Sequence, residues 1–372
     1  MSGHDEGDPG TGRREADDRA FTVRELTKHD EPRVLELLGE TLSGGPTGER
    51  TSDFFRWKHR DNPFGASPGL VAELDGRLVA VRLFLRWEFV LAGEAVRAVR
   101  AVDTATHPDV RGRGLFRRLT TDLLGRIEVD TSFVFNTPND NSLPGYLRMG
   151  WNEVGRVPIA LHPIRPLAFA RGLKELRSSG DVSGTSRVWE DTEDPSARCR
   201  FPTARQFFSD PAAAVGFDEL VAEADAGDAA IGHDRLRTAL TGDFLRWRYG
   251  DAPGLDYRVV ASYKDGALTG VVFGRPRLRG PLVEFTLSQM VVRPGDRDTA
   301  RKLFSGVAMS RCDHVATHLA RGSEAARAAR YAGYATPPRT GMLLVARTVR
   351  PHPIDLHDLR SWQLSLGDLE VF

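Results

Sequence analysis

The stretch HPDVRGRGLFRRL, residues 107–119, places Gly112 and Gly114 among Arg111 and Arg113, directly before an amphipathic run. The first N–H groups of a helix have no partner within it, and the helix dipole favours an anion beyond them. Glycine removes the Cβ that would hold a phosphate off and admits positive φ. Arg111 and Arg113 add charge, and Arg117 and Arg118 lie one turn on. This is chemistry suited to a pyrophosphate or a similar anion. It is neither a Walker A loop, since no Gly-Lys-Ser/Thr follows, nor a GxGxxG dinucleotide fingerprint. Taken alone, the turn serves equally as an anion cradle or as a basic turn capping a helix. Just upstream, Asp103 interrupts the apolar run AVRAVDTAT. Burying an unpaired carboxylate is costly, so Asp103 needs a function, a salt bridge (an arginine of a neighbouring strand would serve) or an outward edge position.

These residues need a sheet before them and a helix after them. FTVREL, residues 21–26, predicts a strand. EPRVLELLGETL carries Val34, Leu35, Leu37, Leu38 and Leu42 at helical spacing. SDFFRWKH predicts a helix with Ser52 or Asp53 as its N-cap. Residues 69–108 predict three strands joined by DG and AG turns. GLFRRLTTDLLGRIE predicts a helix with Leu115, Leu119, Leu123 and Leu124 on one face. SFVFNTP predicts a short strand, and LPGYLRMGW a short helix followed by a strand through residues 157–161. The order is β-α-α-β-β-β-α-β-α-β.

The chain repeats itself. Asp53, Phe54, Arg56, Trp57 and Pro63 recur 190 residues on as Asp243, Phe244, Arg246, Trp247 and Pro253. Each copy continues into a hairpin through Asp75-Gly76 or Asp265-Gly266. A period this long predicts two tandem copies of one domain, not a solenoid. The predicted division is a disordered tail at 1–19, a first domain at 20–165, a helix and linker at 166–200, a second domain at 201–350 and a C-terminal segment at 351–372. The recurring Arg-Trp pairs predict a shared packing role, with Trp in the core and Arg tied to a carboxylate. The second copy reads VVRPGDRDTARKLF where the first has its glycine turn. Gly295 remains, but Asp296 and Asp298 put negative charge where a phosphate would sit, so this copy is predicted not to bind one.

Arg111-Gly112-Arg113-Gly114-Leu115-Phe116, preceded by His107-Pro108 and followed by Tyr146-x-x-x-Gly150-Trp151, resembles the GNAT superfamily of acyl-coenzyme A N-acyltransferases. The resemblance covers residues 21–165 and, in degraded form, 202–349. It implies an α/β (α+β) fold of two tandem GNAT-like domains, each a mixed, mostly antiparallel twisted sheet flanked by helices. It implies acetyl-CoA as co-substrate, with no metal. Backbone amides around Arg111, Gly112, Arg113, Gly114, Leu115 and Phe116 would hold the pyrophosphate. The strand through Thr104, Ala105 and Thr106 would pair with the pantetheine arm, and Asn139 and Asn141 would add ligands. Tyr146 would protonate the leaving thiolate, and Asp103 would act as base or orient the amine. Phe116 departs from the family's Gly or Ala; its ring is expected to turn into the core. His107 is expected to be structural, and His59 to line the acceptor side if it acts at all. No Cys or Ser-His pair is placed for a covalent intermediate, so the implied reaction is direct attack by an amine. Trp362, Leu364 and Leu366 predict a C-terminal strand docked on the second copy. A second reading brings Asp368, Glu370 and the terminal carboxylate to the acceptor pocket.

Lysine plus arginine equals aspartate plus glutamate, so the formal net charge is zero. That argues against a dedicated nucleic-acid binder. The two cysteines, Cys199 and Cys312, have no metal-ligand spacing and suit a reducing cytoplasm. No apolar run is long enough to span a membrane, and the N-terminus has no apolar h-region. The expected partner is a small-molecule or peptide amine, with oligomeric state open. Two other classes fit: a FemAB-like aminoacyltransferase using aminoacyl-tRNA, and a non-catalytic acyl-CoA-binding module.

Overall fold

A computed structural model describes residues 21–41, 51–179, 199–231, 234–338, 340–351 and 353–370. The expected disordered tail, Leu42, most of the expected linker and the terminal carboxylate lie outside the described residues. In chain order the first half forms β1 (Thr22–Glu25), α1 (Glu31–Thr41), α2 (Ser52–His59), β2 (Gly69–Leu74), β3 (Arg77–Leu91) and β4 (Glu94–Thr106). It continues through α3 (Leu115–Ile127), β5 (Phe133–Asn136), α4 (Leu143–Arg148), β6 (Asn152–Val157), β7 (Ala160–Pro163) and α5 (Pro166–Ser179). The second half forms α6 (Ala204–Ser209), α7 (Phe217–Ile231), β8 (Leu236–Thr238), α8 (Gly242–Leu245), β9 (Arg258–Lys264), β10 (Ala267–Arg279) and β11 (Leu282–Val292). It ends with α9 (Arg297–Val307), β12 (His314–Thr317), α10 (Glu324–Tyr331), β13 (Met342–Thr348), β14 (Trp362–Gln363) and α11 (Leu366–Leu369).

Two mixed sheets flanked by helices result. The first runs β1-β2-β3-β4-β5-β13-β6, with β8 on β3 and β14 on β8; the second runs β7-β12-β11-β10-β9. The strand assignments cross the sequence-based boundaries. β13, inside the range 201–350, lies between β5 and β6 of the first sheet. β7, inside 20–165, pairs with β12 of the second. Strand propensity is local but strand partnership is not, so the repeat alone does not reveal this exchange.

Three local expectations are corrected. Thr51, not Ser52 or Asp53, caps α2 by accepting from the Phe54 amide at 3.2 Å. The strand expected through residues 157–161 breaks after Val157, beside Pro158, which has no N–H to offer a ladder. The C-terminal strand is only two residues long. Ser365 and Asp368 then form a reciprocal capping box that turns the chain into α11, and this outweighs the apolar alternation.

The repeated tryptophans meet where the two halves join. Trp57 and Trp247 stack at 5.1 Å. Each indole N–H donates to the other's backbone carbonyl, at 2.7 and 2.9 Å. Arg56 pairs with Asp53, and Arg246 with Asp218.

Candidate active site

The geometry of β4 sets the site. A register shift against β3 between Arg82 and Leu83 leaves Asp103 as a bulged residue, with φ 36°. β4 pairs in parallel with β5 only from Ala98–Phe133 to Arg100–Phe135. Beyond that the two strands part, and the wedge between them opens toward the start of α3.

Gly114, φ 75°, is the N-cap of α3 and has no side chain to cap it; Gly112 has φ 80°. A Cβ on either would meet nothing within 4 Å, so it is the backbone angle, not crowding, that requires glycine. A cavity of about 470 Å³ lies over the turn, lined by Thr106, Arg111, Gly112, Gly114, Leu115 and Phe116 with Arg117 and Arg148. Uncapped amides, an open cavity and flanking arginines fit the pyrophosphate of coenzyme A. Arg113 does not line this cavity; its guanidinium stacks 4.4 Å from the Phe21 ring. The Phe116 ring packs edge-on to Tyr146 at 5.6 Å, and a Cβ on Gly145 would come within 2.9 Å of it. The side chain is thus clamped against α4 while the backbone of the turn still borders the cavity.

Tyr146, on α4, is buried. Its phenol oxygen accepts from Arg82 Nη1 at 3.1 Å. The same nitrogen donates to Thr104 Oγ1. Arg82 is completely buried, and its Nε and Nη2 have no hydrogen-bond partner among the described residues. The guanidinium lies 4.7 Å from the Phe84 ring, 5.6 Å from Phe116 and 5.5 Å from Tyr146. The guanidinium thus sits in an aromatic cage with no carboxylate partner among the described residues.

Asp103 is held from α2. Its Oδ2 lies 2.6 Å from Lys58 Nζ and 2.8 Å from His59 Nε2. His59 Nδ1 lies 2.9 Å from Ser67 Oγ. The partner is therefore a lysine and a histidine of a helix, not an arginine of a neighbouring strand. Ala105 is buried beside α1, on the far side of β4 from Tyr146. Asn139 Oδ1 accepts from the Ser142 amide at 2.9 Å, at the start of α4. Asn141 is exposed. His107 is engaged with Arg77 and with the Asp109 amide.

A small chamber adjoins this group, lined by Trp57, Lys58, Trp87, Arg100, Val102, Trp247, Arg248 and Glu370. Arg100 Nη1 and Nη2 donate to the carbonyls of Asp368, Leu369 and Glu370. Arg248 Nη2 donates to Gly367 O at 2.8 Å. Burial, with Arg248 nearby, pushes Arg100 down to about 9. The two arginines bring the backbone of the C-terminal segment to the chamber. Its side chains face the second half: Asp368 Oδ1 accepts from Thr238, and Glu370 Oε2 from Tyr257 and Ser288.

The second half closes its own helix end. Asp296 caps α9 by accepting from the Thr299 amide at 2.9 Å. Ala329, the residue aligned with Tyr146 by Gly333-Tyr334, is buried and carries no acid.

Lys58, Arg82, Arg100 and Arg248 were not singled out from the sequence. Arg82 and Arg100 carried a signal: each sits in a strand whose neighbours are apolar on both faces. Lys58 carried none, because a lysine after a tryptophan on a short helix reads as solvated.

Residues 22–154 match the family model described as Acetyltransferase (GNAT) domain. No curated protein matches the chain. Several solved structures share its fold. A probable N-acyltransferase from Enterococcus faecalis V583 is 13% identical, over 89% of this chain and 73% of that one, with a TM-score of 0.58. A GCN5-related N-acetyltransferase from Anabaena variabilis is 14% identical, with 89% and 73% covered and a TM-score of 0.56. Saccharomyces cerevisiae N-myristoyltransferase with bound myristoyl-CoA is 12% identical, with 95% and 85% covered and a TM-score of 0.53. At these identities the likeness is one of fold, and the match over residues 22–154 identifies that segment as similar to the GNAT acetyltransferase domain.

Proposed function

We propose that the first half of the chain transfers an acetyl group from acetyl-CoA to a primary amine of a small-molecule or peptide acceptor, by direct attack. The observation that carries this reading is Tyr146, its oxygen held by the Arg82 that also bonds Thr104 of β4, on a helix that borders the cavity over the uncapped glycine turn. The backbone of residues 111–116 holds the pyrophosphate, and the unpaired edge of β4 at Thr104–Thr106 receives the pantetheine arm. In this reading Asn139 and Asn141 add coenzyme A ligands from the loop before α4.

The amine nitrogen bonds to the acyl carbon, and the carbon–sulfur bond breaks. Because the Tyr146 oxygen accepts from Arg82, its own proton points elsewhere, and it passes to the leaving thiolate. Arg82 stabilises the phenolate left behind, a charge that develops during reaction on a buried oxygen. Asp103, fixed by Lys58 and His59, orients the attacking nitrogen and draws off its proton. The second half, with Asp296 filling its own helix end, contributes walls to the acceptor chamber and no second coenzyme site.

The test is thiol release from acetyl-CoA over a panel of primary amines. Tyr146→Phe is expected to lower kcat about 100-fold or more while coenzyme A still stabilises the protein thermally. Absence of that stabilisation in the wild type would overturn the donor assignment. Binding with no turnover on any amine would instead leave an acyl-CoA-binding module.

A further inference from the structure

The second half has a wedge of its own. β11 pairs with β12 from Glu284–His314 to Leu287–Thr317, and beyond that the two strands part. α7 and the C-terminal segment close over the gap and leave a cavity of about 110 Å³. Most charges around it are matched. Asp225 pairs with Arg237, and Arg293 with Glu223. Glu324 pairs with Arg297 and Arg327 at 3.0 and 2.8 Å. His318 Nδ1 lies 2.8 Å from Pro158 O, and burial pushes this imidazole down, toward its neutral form.

Two lining side chains carry acceptor oxygens with no partner among the described residues. Asp228, half-buried on α7, has no hydrogen bond or ion pair among the described residues. Gln363, on β14, is only 8% exposed, and its Oε1 has no partner among them either. An unsatisfied acceptor shielded from water is costly, and a carboxylate more so. One ligand class relieves both: a cation that donates hydrogen bonds. Burial pushes the Asp228 carboxyl up to about 6, with Arg237 and Arg235 opposing the shift and Asp225 adding to it.

We propose that this cavity is a binding site for a small primary-ammonium ligand, held by the Asp228 carboxylate and the Gln363 amide oxygen. It is distinct from the proposed transfer site, from which the C-terminal segment separates it. Gln363, Ser365 and Asp368 line the cavity, while the carbonyls of the next residues accept from Arg100 on the chamber side.

Calorimetric titration of the full-length protein with 1,4-diaminobutane near neutral pH tests the proposal, with butane-1,4-diol as the uncharged control. The diamine is expected to bind saturably and the diol not at all. Asp228→Asn is expected to weaken diamine binding tenfold or more, and Asp103→Asn to leave this phase unchanged. Gln363→Glu, which adds a second carboxylate, is expected to tighten it severalfold, and it decides the question should Asp228→Asn fail to fold. Absence of saturable binding overturns the proposal. So does binding that survives Asp228→Asn, that Gln363→Glu does not tighten, or that only Asp103→Asn removes; the last would place the diamine in the transfer site. None of these outcomes depends on turnover.

Discussion

The guanidinium of Arg82 is the least economical group in the fold. It is fully buried, two of its nitrogens lack partners among the described residues, and its bonds go to two neutral hydroxyls. A buried cation without a carboxylate destabilises a protein, and an apolar residue of similar length in its place is neutral or stabilising. Arg82→Met is therefore expected to leave the thermal midpoint unchanged or to raise it by the equivalent of about 1–3 kcal/mol. In the same variant kcat is expected to fall at least tenfold with little change in KM for acetyl-CoA, and Arg82→Lys to recover part of the loss. A purely structural arginine would give the opposite pattern, a lower melting point with kcat per folded molecule intact. At this scale the sequence was partly legible. Asp103 and Tyr146 stand out because each is a polar residue in an apolar or motif context. Lys58 does not, because its burial comes from the C-terminal turn of α2 lying over the β4 bulge, a contact between residues 45 apart in sequence.

At the scale of elements, the two helix starts differ by one residue's chemistry. α9 takes its anion from Asp296, whereas α3 begins at Gly114 with nothing to cap it. Gly114→Glu would force a side chain into left-handed backbone, at about 1–2 kcal/mol, and would bring a carboxylate to the cradle. Thermal stabilisation by acetyl-CoA is expected to disappear in Gly114→Glu and to persist in Gly114→Asn, since asparagine tolerates this conformation. This contrast was readable in advance because helix starts and Asp-Gly hairpins are local. The clamp that ties β1 to the turn before α1 and to β2 was not. Arg24 bonds Asp30 at 2.6 and 2.7 Å and Glu73 at 2.8 Å. Those bonds hold the Asp30 carboxyl far below the usual carboxylate range, against the opposing effect of burial, and lower Glu73 as well. Carboxylates depressed in the folded state stabilise it above their unfolded values, and the contribution is lost as pH falls through the folded ones. The wild type is thus expected to lose stability steadily below roughly pH 4. Arg24→Met should be less stable at pH 7 by about 1–3 kcal/mol and show a shallower acid slope, read from melts across that range.

For the whole molecule, the repeat predicts two tandem domains, and the strand exchange ties them together. Among the described residues β6 pairs only with β13, and β5 keeps just three residue pairs with β4 once β13 is gone. A fragment of residues 20–165 would therefore leave β6 without a sheet and the wholly buried β5 with an open edge. It would also lose the Trp247 carbonyl that accepts from Trp57, and one core cluster runs through both halves, from Trp57 and Phe89 to Phe244 and Phe273. Burying a tryptophan is worth about 3–5 kcal/mol against alanine, comparable to the margin of many whole domains. The fragment alone is expected to show no cooperative melt and no coenzyme A binding, although it contains Tyr146, Asp103 and the entire glycine turn. Supplying residues 199–372 in trans should restore near-ultraviolet circular dichroism and thiol release together, because β13 and Trp247 arrive on the same piece. Independent folding of 20–165 with coenzyme A bound would show that the exchange is dispensable and that the wedge stands on its own half of the chain.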